Sequence, residues 1–142
     1  MIESPFNISE EELLNLIKNA QWHHYGLPVV EIEGEEWAIA LTDEEADKAA
    51  EEYVENTAWA FTADYLQDMT GIPHEMFEAV QDKCEGAQDA ILACIEATCG
   101  IESFRENAVA DNGRGTFLSG YDGQEEEFEM SDGNISYAYR LN

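Results

Sequence analysis

Residues 111–142 read DNGRGTFLSGYDGQEEEFEMSDGNISYAYRLN, and here the chain leaves helical periodicity for turn formers, aromatics and alternation. Asp122-Gly123 and Asp132-Gly133 are turn pairs, and they divide three strand-like runs at about 115–121, 125–130 and 134–141. The pattern predicts an antiparallel β-meander. In its middle run Glu126, Phe128 and Met130 share one face and Glu125, Glu127 and Glu129 the other, because strand side chains alternate. Phe128 and Met130 are the expected inner face, and Phe117, Leu118, Tyr121 and Tyr139 are expected in the same core.

Upstream the texture is different. Ser9 followed by Glu10, Glu11 and Glu12 reads as an N-cap with acids in the first turn, where the helix dipole favours them. Leu13, Leu14, Leu16 and Ile17 supply its apolar stripe, so a helix is expected over about 10–21, stopped by Gly26 and Pro28. VVEIE and EWAIAL around Gly34 predict a hairpin of about 29–33 and 36–41. Thr42 with Glu45 forms a capping box that opens a helix of about 43–58. At 100° per residue, Ala46, Ala49, Ala50, Tyr53, Val54 and Thr57 fall on one side of it. Glu44, Asp47, Glu51 and Glu55, flanked by Glu45 and Glu52, fall on the other, and Lys48 alone interrupts the acids. Trp59 and Phe61 read as the packing end of this helix. Four shorter helices follow at about 63–69, 73–83, 86–98 and 102–109, the second with Pro73 at its first position and the third closed by Gly100. The expected fold class is therefore α+β: several helices packed on an antiparallel sheet made of an N-terminal hairpin and a C-terminal β-meander, in a single domain spanning 1–142.

Charge is the anomaly. Thirty-two Asp and Glu stand against six Lys and Arg, a formal net charge of −26, where a magnitude of about 2 to 8 keeps a small domain soluble. Such an excess destabilises the compact state by self-repulsion, excludes direct binding to nucleic acid or to an anionic membrane face, and calls for a cationic partner. With 44% hydrophobic residues and three Trp the chain still has the material for a core. It carries neither a basic-then-apolar leader pattern nor an apolar run of about 18 residues. Cys84, Cys94 and Cys99 are odd in number and lack a CxxC pair. Reduced thiols and a cytoplasmic location are expected.

Catalytic and ligand-binding signatures are missing. The adjacent pair His23-His24 lacks chelating spacing and His74 stands apart, so no metal is expected. DNGRG, DGQEEE and SDG depart from the calcium-loop pattern. Asn112-Gly113-Arg114-Gly115 matches neither phosphate-binding glycine pattern and reads as a helix-to-strand turn. Ser119 lies in LSGYD rather than in GxSxG, and carboxylates are too many for any pair to stand out. Neither a cofactor nor enzymatic activity is implied.

Acidity at this density imitates something. Duplex DNA carries one negative charge per about 1.7 Å of axis, so 26 charges match roughly 44 Å of it, near the 35–40 Å expected across a compact domain of this length. Carboxylates three and four residues apart on a helix have Cβ atoms about 5–6 Å apart, and alternate strand residues about 6.5–7 Å, close to the phosphate spacing along one strand. A face combining Glu44, Asp47, Glu51, Glu52 and Glu55 with Glu125, Glu127 and Glu129 is the candidate partner-binding surface. Acidity of this size on a small α+β domain resembles the DNA-mimic inhibitors of phages and mobile elements, which block restriction enzymes, CRISPR effectors or repair enzymes by filling the nucleic-acid site. EEYVENTAWAFTADYL and GRGTFLSGYDGQEEEFEM, with the ending YAYRLN, are similar to small phage proteins. The resemblance implies a basic nucleic-acid-binding protein of the host as partner and assigns no residue a role. The alternative is a small cytosolic enzyme or regulatory factor whose acidic surface serves solubility or salt tolerance.

Overall fold

A computed structural model describes residues 4–142 and has the expected class, α+β. It divides into two compact units, one of residues up to Ala50 together with Asn112–Asn142, the other Glu51–Asp111.

The first unit is built on a five-stranded antiparallel sheet ordered β1-β2-β3-β5-β4, with β1 His23–His24, β2 Leu27–Ile32, β3 Glu35–Ala40, β4 Glu126–Glu129 and β5 Ile135–Arg140. Two-residue turns shape its N-terminal half. Glu33 (φ 52°) and Gly34 (φ 84°) join β2 to β3, with Ile32 opposite Glu35. Tyr25 (φ 50°) and Gly26 (φ 85°) join β1 to β2, with His24 opposite Leu27. Paired positive φ values match the twist of the flanking strands. Gly26, expected to stop the first helix, thus serves a hairpin, and the helix α1, Glu10–Lys18, ends earlier, where the Asn19 amide donates to the Asn15 carbonyl and the Ala20 amide to the Ile17 carbonyl. Ser9 caps α1 as expected, accepting from the Glu12 amide at 3.1 Å.

One sheet face carries Val30, Ile32, Trp37, Ile39, Phe128 and Ala138, buried with Phe6 and Leu13 of the N-terminal segment. Phe6 meets the Trp37 and Phe128 rings edge-on. Met130 packs half-buried on this cluster, so the alternation expected for 125–130 holds. On β5, Tyr137 and Tyr139 belong to the opposite face and are buried.

The C-terminal meander is only partly present. The run at 115–121, expected as a strand, is instead a five-residue helix, α7 Arg114–Leu118, so β4 and β5 form a single hairpin that joins the sheet by pairing β5 with β3. Two features turn the chain. Gly113 at φ +86° breaks it away from the preceding helix, and Ser119 donates its hydroxyl to the Asp122 carboxylate and to the Arg140 carbonyl, both at 2.9 Å. Leu118 and Tyr139 are core residues as expected, Phe117 is half-buried, and Tyr121 is exposed with its ring under the Arg140 guanidinium at 3.7 Å.

Helix α2, Asp43–Asn56, opens on Thr42 and Glu45 as expected, with one half of the capping box: the Glu45 amide donates to Thr42 Oγ1 at 3.1 Å, while the Glu45 carboxylate accepts from that hydroxyl. Ala46, Ala49, Ala50 and Val54 are buried, and Tyr53 and Thr57 half-buried, as the helical phase requires. The second unit contains a 3-10 turn, Ala58–Ala60, and helices α3 Ala63–Thr70, α4 His74–Lys83, α5 Ala87–Ala97 and α6 Ile101–Asn112. Its core contains Leu66, Phe77, Ile91, Ile95 and Phe104. Phe61 stacks on Tyr65 and meets Phe104 edge-on, whereas Trp59, expected in packing, is 52% exposed. Gln81 and Gln88 tie this loop: Gln81 donates to the Trp59 and Phe61 carbonyls, and Gln88 accepts from the Trp59 amide.

Gly115 admits no side chain, because an added Cβ would lie 2.7 Å from Gln124 C and Gly123 O and 2.8 Å from Glu125 N, all backbone atoms. Gly115→Ala should therefore cost about 1 to 3 kcal/mol in denaturant unfolding; an unchanged midpoint would contradict this close approach.

Candidate functional site

The acids expected to bind a partner lie on α2 and along the β4 segment, and part of that set is connected by Arg114, a residue of the expected helix-to-strand turn. Arg114, at the start of α7, has a side chain 14% exposed. Its Nη1 donates to Asp43 Oδ1 at 3.1 Å and to Asp47 Oδ1 at 3.0 Å, and its Nε donates to Glu125 Oε1 at 2.8 Å. The guanidinium lies over the Tyr137 ring, 4.5 Å from its centroid. The Tyr139 hydroxyl donates to the same Glu125 oxygen. A planar fork of fixed N–H directions is what these three carboxylates, two on α2 and one before β4, require, and a lysine ammonium would not supply it.

Protonation follows the geometry. Hydrogen bonding to Tyr137, then to Arg114, holds the Asp43 carboxyl below the usual carboxylate range. Burial, reinforced by the bond to Glu125, pushes the Tyr139 phenol up. For Arg114 burial works against the charge, but the Glu125 hydrogen bond and the surrounding negative groups outweigh it, and the guanidinium is held charged.

Of the expected partner-binding residues in the first unit, Asp47 and Glu125 are thus committed to Arg114. Glu44 and Glu127 are exposed and Glu129 is half-exposed. Glu127 pairs across the ladder with Tyr137 and Glu129 with Ile135, which puts Glu127 and Glu129 on the Tyr137 side of the sheet. In the second unit Glu52 is exposed, Glu51 is half-buried, and Glu55 meets Arg105 at 3.8 Å while its carbonyl accepts from Gln88. The acids expected as one ladder therefore differ in kind: some are internal counter-charges, others are exposed.

The signal that could have found Arg114 was scarcity, since it is one of six Lys and Arg in the chain. All three arginines are in ion pairs: Arg105 with Glu55, Arg114 with three acids, and Arg140 with Glu35 at 3.4 Å. None of the three lysines forms an ion pair among the described residues.

A cation already fills the tightest carboxylate cluster, and among the described residues no group of three or more His, Cys, Asp and Glu is arranged to hold a metal ion. The three cysteines are free, Cys84 being exposed. His24 is half-buried, and burial pushes its imidazole below the ordinary histidine value. Among the described residues no helix is long and apolar enough to cross a membrane. No protein-family model, curated protein or solved structure matches the chain.

Arg114→Ala should cost about 1 to 3 kcal/mol, chiefly because it leaves the half-buried Glu125 without its charged donor beside a buried tyrosine, whereas Asp43 and Asp47 are exposed enough to be solvated. Arg114→Lys should recover only part, and added salt should restore some stability to the Ala variant. Denaturant titrations at low and high salt check this; a neutral Arg114→Ala would remove the cluster from the fold's supports.

A second expectation concerns alkali. A phenol with a raised folded value contributes stability that is complete below its unfolded value of about 10 and is lost as pH rises from there towards the folded value. The parent should therefore lose stability relative to Tyr139→Phe above about pH 10, with a constant difference below pH 9, as read by melting curves across that range. A difference independent of pH would contradict the buried Tyr139–Glu125 bond.

Proposed function

We propose that the chain is an acidic inhibitor that binds the basic nucleic-acid groove of a host defence or DNA-processing protein by mimicking nucleic acid. It performs no chemistry and acts in the cytoplasm of the host of a phage or mobile element. The observation that carries this reading is the Arg114 cluster, where acids of α2 and of the approach to β4 converge on one guanidinium, with Glu44 and Glu127 exposed on the same two elements. The cluster fastens the start of α2 to the approach to β4, so the backbone positions from which Glu44 and Glu127 project are set before a Lys- or Arg-lined groove arrives. Glu44, Glu127, Glu129 and Glu52 are the residues available for contact. Asp47, Glu125 and Glu55 act by position and field, since one oxygen of each already faces an arginine.

One observation favours the alternative, a small enzyme or regulatory factor with an acidic surface for solubility or salt tolerance: exposed acids also stand far from this cluster in sequence, at Glu11, Glu12, Glu31 and Glu33. The two readings differ in what competes for binding.

Immobilised protein should retain nucleic-acid-handling proteins from a bacterial lysate at low salt, release them as salt rises, and lose them to added duplex DNA. Replacing Glu44, Glu52, Glu127 and Glu129 together by Gln should preserve the fold and weaken retention. Single exposed pairs are worth only about 0.2 to 1 kcal/mol, so the group has to change as a unit. Ternary complexes of protein, target and nucleic acid would overturn mimicry, and retention by the fourfold variant equal to the parent's would move the surface elsewhere.

A further inference from the structure

Strand β4 is an edge of the sheet, and the hydrogen-bond phase of the β4–β5 hairpin says which of its backbone groups are free. The Met130 amide donates to the Asn134 carbonyl at 2.8 Å. Bonded and non-bonded pairs alternate along an antiparallel ladder, so Phe128 opposite Ser136 and Glu126 opposite Ala138 are also pairs that turn their backbone groups towards β5. The N–H and C=O of Glu127 and Glu129 therefore point out of the sheet. The next group in that outward row, the Ser131 N–H, is already taken: it donates to the Glu10 carboxylate at 2.9 Å. The Glu127 and Glu129 backbone groups have no such partner among the described residues. Beside this stretch lies a groove of about 290 Å³ lined by Ile8, Leu13, Phe128 and Met130, with Glu10 and Glu129 also on its wall and no Lys or Arg.

We propose that the free edge of β4 takes up an extended basic segment of a partner polypeptide as a sixth, antiparallel strand. The proposal rests on the reading of the chain as a binder of cationic proteins and names the kind of segment bound. Charge selects the occupant. A second copy docked edge to edge would set Glu127 and Glu129 against carboxylates of its own kind, and like charges across a strand pair destabilise it. A cationic strand meets the opposite condition. The two faces of the edge also fix its pattern: residues opposite Glu127 and Glu129 place Lys or Arg on the carboxylate face, and the residues between them place apolar side chains on the Phe128 and Met130 face. Main-chain bonds to the two free rungs supply the pairing, as in other strand additions.

An acetylated, amidated peptide of alternating Lys and Val, titrated into the full chain labelled with ¹⁵N, tests this. Binding should shift the Glu127, Phe128 and Glu129 amides and slow hydrogen exchange at Glu127 and Glu129. Two methylated peptides separate pairing from charge. N-methylation of the lysine residues removes the donors that face the edge and should weaken binding about tenfold or more, while N-methylation of the valines leaves those donors and should change it less than about threefold. The reverse selectivity would overturn the antiparallel assignment. Equal binding by all three peptides, with shifts spread over the acidic surface, would overturn strand addition while leaving the cationic-partner reading intact. No binding by any of them, in protein that still retains nucleic-acid-handling proteins competed off by DNA, would overturn the edge alone.

Discussion

The first unit depends on one guanidinium. A chain with formal net charge −26 gains contacts by collapsing only if the potential created by bringing its carboxylates together is relieved somewhere inside. Arg114 relieves it where three acids from α2 and the approach to β4 converge, with the Tyr137 ring beneath its guanidinium. The cluster thus acts as a fastener between elements far apart in sequence, Asp43 and Asp47 on one side and Glu125 on the other. Gly115 belongs to the same device, because only a residue without a side chain lets α7 approach the Gly123–Glu125 backbone closely enough.

The other cations are used according to their chemistry. Arg105 and Arg140 each hold an acid, and Arg140 also covers the otherwise exposed Tyr121 ring. Lys18 and Lys83 sit in the last turns of α1 and α4, where a point charge meets unpaired carbonyls. Guanidinium groups go where several acceptors converge, and ammonium groups where one end of a dipole needs a charge. Five of the six Lys and Arg thus sit against acids or helix ends, Lys48 on the exposed side of α2 being the exception, and the exposed acids have few internal counter-charges left to screen them. That imbalance makes the surface receptive to an outside cation.

Legibility in the sequence followed the range of the interactions involved. The helix cap at Thr42 and Glu45, the buried alanine stripe of α2, the turn at Gly34 and the alternation around Phe128 are set within four or five residues, and each reads correctly. The strand expected at 115–121 fails because GRGTFLSGY carries β-type composition while its conformation is imposed from elsewhere, by the Gln124–Glu125 backbone against Gly115 and by the Arg140 carbonyl taking the Ser119 hydroxyl. β1 was hidden because two residues carry no periodicity, and its only cue was Tyr25-Gly26. Among the candidate acids, period placed Glu44 and Glu127 outward, but no period says that Asp47 and Glu125 share an arginine 67 and 11 residues away.

The edge of β4 makes the acidity a question of specificity as well as of strength. An unpaired strand edge invites any extended chain, and proteins usually guard it with lysine or proline. Glutamates guard this one, and just beyond its C-terminal end Glu10 of α1 already closes one outward rung. The guard is selective by sign: it turns away other copies of this chain and most acidic polypeptides, and leaves the edge open to segments rich in Lys and Arg. Such segments line nucleic-acid grooves, so the charge that would let the surface compete with phosphates also decides which strand is admitted beside it.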